Sequence, residues 1–461
     1  MHPEISSTPR RLVKTGAVCG ALIAAAFGLS ACDHGDPARQ AAQYGAAPML
    51  PTPKNYLLPP MKVAPVGTWK QGEAPVVDAS LKITAFATGL VHPRSLYMLP
   101  NGDILITEAN GPAAPVNRPK DLIMGVIQGY GGSNAKGANR ITLVRPGANG
   151  APAQQTVFLE NLSSPFGMTL VGNDLYVANA DSLMKFPYKT GDTHISAPGT
   201  KVIDLPGGPI NHHWTKSLLA SEDGTKLYVG VGSNSNIVEN GLEAEKDRAD
   251  VLEIDRATGA ARIFAAGLRN PNGLSWEPTT KALWVVVNER DEIGPDLVPD
   301  YLTSVKDGAF YGWPYSYYGQ HVDKRVMPQR PDLVAKAIAP DYALGSHVAP
   351  LGLVFNSAAS TMPEKLRTGA FVGEHGSWDR SPMSGYKVVF VPFNGGKPAG
   401  QPVDVVTGFL VGDHAKGRPV GLAMDKTGSL LIADDIGNTV WRVSAANATA
   451  AAPAPSAAGA P

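Results

Sequence analysis

Arginines and histidines recur in this chain at one kind of place, just ahead of a tight Pro/Gly turn that leads into a short apolar strand. His92 and Arg94, His212 and His213, Arg269 and Asn270, Ser346 and His347, and Arg418 stand there, with Ser163 and Ser164 at the equivalent spot of another copy. Gathered together, such a set is cationic, rich in imidazole and poor in carboxylates. Guanidinium forks match carboxylates two bonds at a time, so the set suits a flat anionic ligand. An imidazole among cations has a depressed pKa and stays neutral, able to accept a proton. Each member also has a plainer reading. Arg418 could pair with Asp434 or Asp435, and His92 and His347 read as structural. A two-histidine metal site at His212 and His213 is disfavoured, because neighbours on a strand face opposite sides. A separate oxygen-rich run, Asn288-Glu289-Arg290-Asp291-Glu292-Ile293-Gly294-Pro295-Asp296, could hold a hard cation such as Ca²⁺, although its spacing is not that of an EF-hand.

These residues are useful only if the fold carries them to one point, and the pattern around them indicates how. The clearest copy reads Leu268-Arg269-Asn270-Pro271-Asn272-Gly273-Leu274, followed by Ala282-Leu283-Trp284-Val285-Val286-Val287. Five others lead from Pro93-Arg94-Ser95-Leu96, Pro165-Phe166-Gly167-Met168, Trp214-Thr215-Lys216-Ser217-Leu218, Pro350-Leu351-Gly352-Leu353 and Pro419-Val420-Gly421-Leu422. Hairpin signals such as Asn101-Gly102 and Asp223-Gly224 separate the paired strands. The copies are spaced irregularly, by roughly 50 to 90 residues, which suits four-stranded blades with variable loops. Six such units predict an all-β, six-bladed β-propeller. The runs at 81–86 and 439–443 would share one blade and close the ring, leaving no open edge.

The chain has 461 residues with 50 Gly and 40 Pro, turn-rich and long enough for one large core. Its 40 basic and 40 acidic residues cancel, which argues against a nucleic-acid partner. Arg10, Arg11 and Lys14 precede an apolar stretch at 17–29, and Leu29-Ser30-Ala31-Cys32 resembles a bacterial lipobox. The expected organisation is a lipoprotein signal peptide at 1–31, lipidated Cys32 with an Ala/Pro-rich tether at 32–75, the propeller at 76–444, and a disordered Ala/Pro-rich tail at 445–461. Asp33 resembles the signal for retention at the inner membrane, so the expectation is a lipid-anchored protein on the periplasmic side. With Cys19 lost in the leader and Cys32 lipidated, the mature domain has no disulfide. A Rossmann fingerprint, a Gly-x-Ser-x-Gly elbow and a Cys-x-x-Cys-His haem motif are all missing from the sequence.

Taken in order, His212-His213-Trp214-Thr215-Lys216, Gly232-Ser233-Asn234-Ser235-Asn236, Arg269 to Leu274, Asn288-Glu289-Arg290-Asp291-Glu292, Tyr311-Gly312-Trp313-Pro314 and His375-Gly376-Ser377-Trp378-Asp379-Arg380 resemble the glucose/sorbosone dehydrogenase family. These are quinoprotein six-bladed propellers that use pyrroloquinoline quinone (PQQ) with Ca²⁺. The resemblance spans residues 81–444 and is greater to the sorbosone branch. It implies PQQ-dependent oxidation of a sugar or sugar aldehyde, with electrons passed to a membrane quinone or a cytochrome. His213 would be the general base that takes the substrate hydroxyl proton, as hydride passes to PQQ. Arg269, with Asn270 beside it, would stabilise charge on the quinone oxygen, and Arg418 would clamp a PQQ carboxylate. His375 and Arg380 would supply a further cationic contact, and Asp291 and Glu292 would lie at the Ca²⁺. In two places the chain departs from the glucose branch. Gly232-Ser233 stands where that branch has a Gly-Asp turn that orients the base, and Asp291-Glu292 stands where it has a Gly-Pro pair. Two alternatives remain open: a propeller lactonase or other hydrolase with an axial metal, and a non-enzymatic lipoprotein that binds glycans or proteins.

Overall fold

A computed structural model describes residues 35–36, 41–54, 56, 61–113, 115–116, 125–126, 129–132, 136–147, 150–357 and 360–447. The expected leader, Cys32 and nearly all of the expected tail lie outside the described residues.

Six antiparallel sheets stand around one axis, and each begins at one of the six turns. The innermost strands are Pro93–Met98, Gly167–Val171, Lys216–Ala220, Pro271–Trp276, Pro350–Asn356 and Pro419–Met424. Each pairs with a second strand: Ile104–Glu108, Asp174–Ala178, Lys226–Val231, Leu283–Val287, Gly369–Glu374 and Leu430–Asp434. Proline at the head of a strand costs little, because the ladder has not yet begun there. Leu81–Ala87 closes the ring by pairing with Thr439–Ala445, with Ile83 opposite Val443 and Ala85 opposite Trp441. The predicted six-bladed propeller is therefore the observed one.

The second strands are buried on both faces, and their period of two divides the core among the blades. Leu105 packs toward Leu175 and Val177 of the second blade, while Ile104 and Ile106 pack toward Leu431 and Ala433 of the sixth. In the fourth blade Val285 faces Tyr228 of the third, and Trp284 and Val286 face Val372 of the fifth. Near the axis the inner strands almost touch. A Cβ on Gly273 would lie 2.7 Å from the Leu353 amide nitrogen, and one on Gly352 would meet the Val420 carbonyl oxygen closer still. Glycine is what allows the inner strands to converge.

Four inner strands shift register close to their proline ends, between Pro93 and Leu96, Asn272 and Ser275, Pro350 and Gly352, and Pro419 and Leu422. Such bulges bend the strand and re-aim its side chains. Part of the stretch ahead of the propeller is packed on it. Tyr44–Gly45 adds to the outer edge of the fourth blade, the Lys62 amide donates to the Trp378 carbonyl at 3.0 Å, and Val76 bridges to Thr407.

Candidate active site

The bulged ends of the inner strands and the loops that follow the second strands enclose a cavity of about 250 Å³ on the axis. His213, Arg269, Asn270, His375 and Arg418 all line it, together with Asp291. The ring thus brings together residues from four blades that lie far apart in the sequence.

His213 enters on the turn before Lys216–Ala220, and Gly232 makes room for it. A Cβ on Gly232 would collide with both the His213 Cβ and the Asn270 Oδ1. His213 Nδ1 lies 2.8 Å from the Ser233 carbonyl oxygen and 3.0 Å from Ser233 Oγ. A carbonyl only accepts, so Nδ1 carries the proton. Ser233 Oγ gives its own proton to the Ser235 carbonyl at 2.7 Å, which leaves it an acceptor as well. The lone pair is therefore fixed on Nε2, at the opposite edge of the ring. Burial, then the positive charge of Arg269, holds the His213 pKa well below its ordinary value of 6.5. The same serine ties this loop to the next blade, because its amide donates to the Arg269 carbonyl at 2.7 Å.

Arg269 is held from behind. Its guanidinium donates to the carbonyls of Asn236, Asn288 and Glu289 and, at 3.1 Å, to Asp291 Oδ2. Its orientation is fixed before any ligand arrives. Arg418 lies over the Tyr386 ring at 5.1 Å, and its Nη2 donates to the Tyr386 hydroxyl at 3.3 Å. Arg418 meets Asp434 through its backbone amide, which donates to Oδ1 at 2.8 Å, and that carboxylate also accepts from the Trp69 and Trp441 indoles and the Gly437 amide. Among the described residues, Arg418 Nε and Asn270 Oδ1 are buried without a hydrogen-bond partner. Such atoms are costly unless something else satisfies them. His375 Nε2 lies 2.9 Å from Asp435 Oδ2, and Asp435 also binds Arg94. Burial draws the His375 pKa down to about 4.

Two expected site residues stand apart from this group. Arg380 does not line the cavity. It is buried, donating to the carbonyls of Pro295 and Pro382 and to Asp296 Oδ1 at 2.9 Å, so it braces the loop beneath. Glu292 is not a lining residue either; it takes a left-handed backbone, with φ of 71°.

The expectation of a carboxylate-poor mouth is corrected by the structure. Glu289, Asp291, Asp300 and Asp379 line the cavity too. They escape a search at the turns because they arrive from loops after the second strands, or in Asp300 from a third strand. His347 belongs with them: its Nδ1 lies 3.3 Å from Asp291 Oδ1 and 3.4 Å from Asp379 Oδ1. Burial pulls the His347 pKa down, but Asp379 and Asp291 outweigh it and lift it to about 10. Asp379 was visible inside the His375 to Arg380 run, and only its role went unread. Trp378, Val63 and Gly131 complete parts of the wall. Val63 and Gly131 come from segments outside the repeat, where nothing in the sequence marks them.

A family model described as TrAA12-like matches residues 133–299 and 332–446 of the chain. An uncharacterized protein of Borreliella burgdorferi is 28% identical over 295 residues, which cover 62% of this chain and 76% of that protein. A pyrroloquinoline quinone-dependent pyranose dehydrogenase of Coprinopsis cinerea is 25% identical over 223 residues, or 39% of this chain; the match spans only 30% of that enzyme's length. The solved PQQ domain of pyranose dehydrogenase from Coprinopsis cinerea, in its holo form, superposes with a TM-score of 0.66 at 19% identity. It covers 83% of this chain and 100% of that domain, a likeness of fold.

Proposed function

Because this chain belongs to the TrAA12-like family, we propose that it is a quinone-dependent oxidoreductase that oxidises a sugar or sugar aldehyde at the axial cavity. PQQ, when bound, would supply the two-electron acceptor. The observation that carries the reading is the convergence of His213, Arg269, Asn270, His375 and Arg418 on one cavity, with the Nε2 lone pair of His213 left unspent. A flat tricarboxylate fits these residues. Arg418 and His375 would meet its carboxylates, and Arg269 and Asn270 would lie against its reactive carbonyls.

The chain's own residues divide the work. Ser233 holds the imidazole in the tautomer that accepts a proton, and the low pKa keeps it unprotonated at neutral pH. His213 Nε2 takes the substrate hydroxyl proton, a contribution of about 10²–10⁴ in rate. Arg269, locked by three carbonyls and Asp291, presents its charge without reorganising. In this reading the enzyme works on the periplasmic side, anchored through Cys32, and passes electrons to a membrane quinone or a cytochrome. An aldose or sorbosone-type aldehyde is the substrate class.

Calcium fits less well than PQQ. Of its two expected ligands, Glu292 is off the cavity, and the oxygens of Asp291 share their space with an imidazole nitrogen. Ca²⁺ takes about six to eight oxygen ligands. No step is derived through it. The same carboxylates favour a second reading, metal-assisted hydrolysis of a lactone, which would proceed without quinone.

Purified protein reconstituted with PQQ and challenged with a panel of aldoses and aldehydes should reduce an artificial dye. Bound quinone with no dye reduction by any of them would defeat the proposal, and lactone hydrolysis by quinone-free protein would favour the second reading.

A further inference from the structure

Three side chains in the cavity wall touch no reacting group in the chemistry assigned to His213 and Arg269, although Asp291 also braces Arg269. Asp291, His347 and Asp379 come from the fourth blade, the turn into the fifth, and the loop after the fifth blade's second strand. One donor atom from each lies within 4.8 Å of the other two. Their environment prepares them for a common occupant. His347 Nε2 lies 3.0 Å from the Gly294 carbonyl oxygen, so Nε2 carries a proton and donates it there. That hydrogen bond leaves Nδ1 facing the two carboxylates, the arrangement by which a backbone carbonyl orients a ligating imidazole. Asp291 spends Oδ2 on Arg269 at 3.1 Å and keeps Oδ1 toward His347. Asp379 is 3% exposed, and among the described residues its Oδ1 has no hydrogen-bond partner. A buried carboxylate oxygen that accepts no hydrogen bond and stands 3.4 Å from a ring nitrogen calls for a positive centre between them, a proton on the ring or a metal ion in its place.

We infer that Asp291, His347 and Asp379 form a binding site for a divalent cation of the manganese-to-zinc series, in preference to calcium. The separations of 3.3 Å and 3.4 Å from His347 Nδ1 to the two carboxylate oxygens are the edges expected around one ion. They match tetrahedral bonds of about 2.0–2.2 Å. Donor type, rather than size, sets the preference. An imidazole nitrogen suits zinc, iron, cobalt or nickel, carboxylates also suit manganese, and calcium gains little from nitrogen. Asp300 is not a ligand, since its two oxygens accept from the Glu289 and Ala349 amides at 2.7 Å each. The rival occupant of the space is a proton, which would leave an imidazolium between two carboxylates and no place for a metal.

The test uses metal-free full-length protein without quinone, so its failure and the failure of the dehydrogenase reading are separate results. Titration with MnCl₂, ZnCl₂ and CaCl₂, followed by calorimetry, should show one equivalent of Mn²⁺ or Zn²⁺ bound at least tenfold more tightly than Ca²⁺. Asp379→Asn and His347→Gln should each weaken that binding tenfold or more, and His347→Asp should move the preference toward Ca²⁺. Should these variants fail to fold, pulsed electron spin resonance of Mn²⁺ on the unaltered protein decides, because a ligating imidazole leaves nitrogen coupling on the ion. Absence of saturable binding, calcium bound as tightly, unchanged affinity in the folded variants, or no nitrogen coupling would overturn the inference.

Discussion

Of the three histidines that line the cavity, two are driven in opposite directions. His213 keeps part of its surface open and meets a carbonyl, and its pKa falls. His347 is almost wholly buried, which by itself would depress it as well, yet Asp379 and Asp291 raise it to about 10. For these two rings the partner decides the outcome, whereas His375, beside the single carboxylate of Asp435, is still carried down to about 4 by burial. A neutral carbonyl fixes the tautomer without adding charge, so the ring remains a base. Paired carboxylates turn an imidazole into a cation or a metal ligand. One ring can therefore serve proton transfer while its neighbour serves charge balance, within the same wall.

The largest effect that sharpens this comparison is the loss of the base. His213→Ala should lower dye-reducing turnover by about 10²–10⁴ and leave quinone binding in place, as measured by steady-state rates beside absorbance titration. Retained turnover would remove His213 from its role. Next comes the carboxylate side. Asp435→Asn would leave buried Arg94 without its counter-charge and His375 without its carboxylate partner. Removing one partner from such a group costs about 3–5 kcal/mol, to be read from chemical denaturation. A change under about 1 kcal/mol would mean these charges are compensated elsewhere.

Ser233→Asp would make the two sides alike. A carboxylate facing His213 Nδ1 favours the charged ring, by about 1–3 units of pKa for a close pair. The acid limb of the rate profile should move to higher pH in the variant, whereas in the unaltered protein it lies well below 6.5. An unmoved limb would separate His213 from that limb.

Glu374 gives the smallest effect and extends the rule to a carboxylate with no hydrogen-bond partner among the described residues. Both of its carboxylate oxygens are buried and unpartnered among the described residues, and burial pushes its pKa from 4.5 up to about 8. Its folded-state pKa is raised, so the folded protein holds a proton that the unfolded chain has released. Stability from this group is full below 4.5 and declines as the pH rises toward about 8. Glu374→Gln should flatten that decline, as followed by melting temperature across the same range. A parallel decline in both proteins would assign it to other groups.

The sequence discloses the parts of this molecule that repeat. Each inner strand is legible because a Pro/Gly turn must precede it, and ring closure is legible because 81–86 and 439–443, at opposite ends of the repeat, complete one blade and leave no open edge. Circular symmetry then gathers His213, Arg269 and Arg418, which a repeat position is enough to find. The carboxylate side is not repetitive. Asp291, Asp379 and Asp435 leave their second strands four, five and one residues past the ends at Val287, Glu374 and Asp434. No common offset marks them. Arg380 shows the opposite error: a cation beside a promising motif whose donors are spent on the carbonyls of Pro295 and Pro382 and on Asp296.

The contrast between the rings can be observed without cofactor or substrate. Side-chain ¹⁵N spectra of histidine-labelled, metal-free protein at neutral pH, assigned with His213→Gln and His347→Gln, report the protons on each nitrogen. The account predicts a neutral His213 protonated on Nδ1 alone and a His347 protonated on both nitrogens. A doubly protonated His213, or one carrying its proton on Nε2, would contradict it.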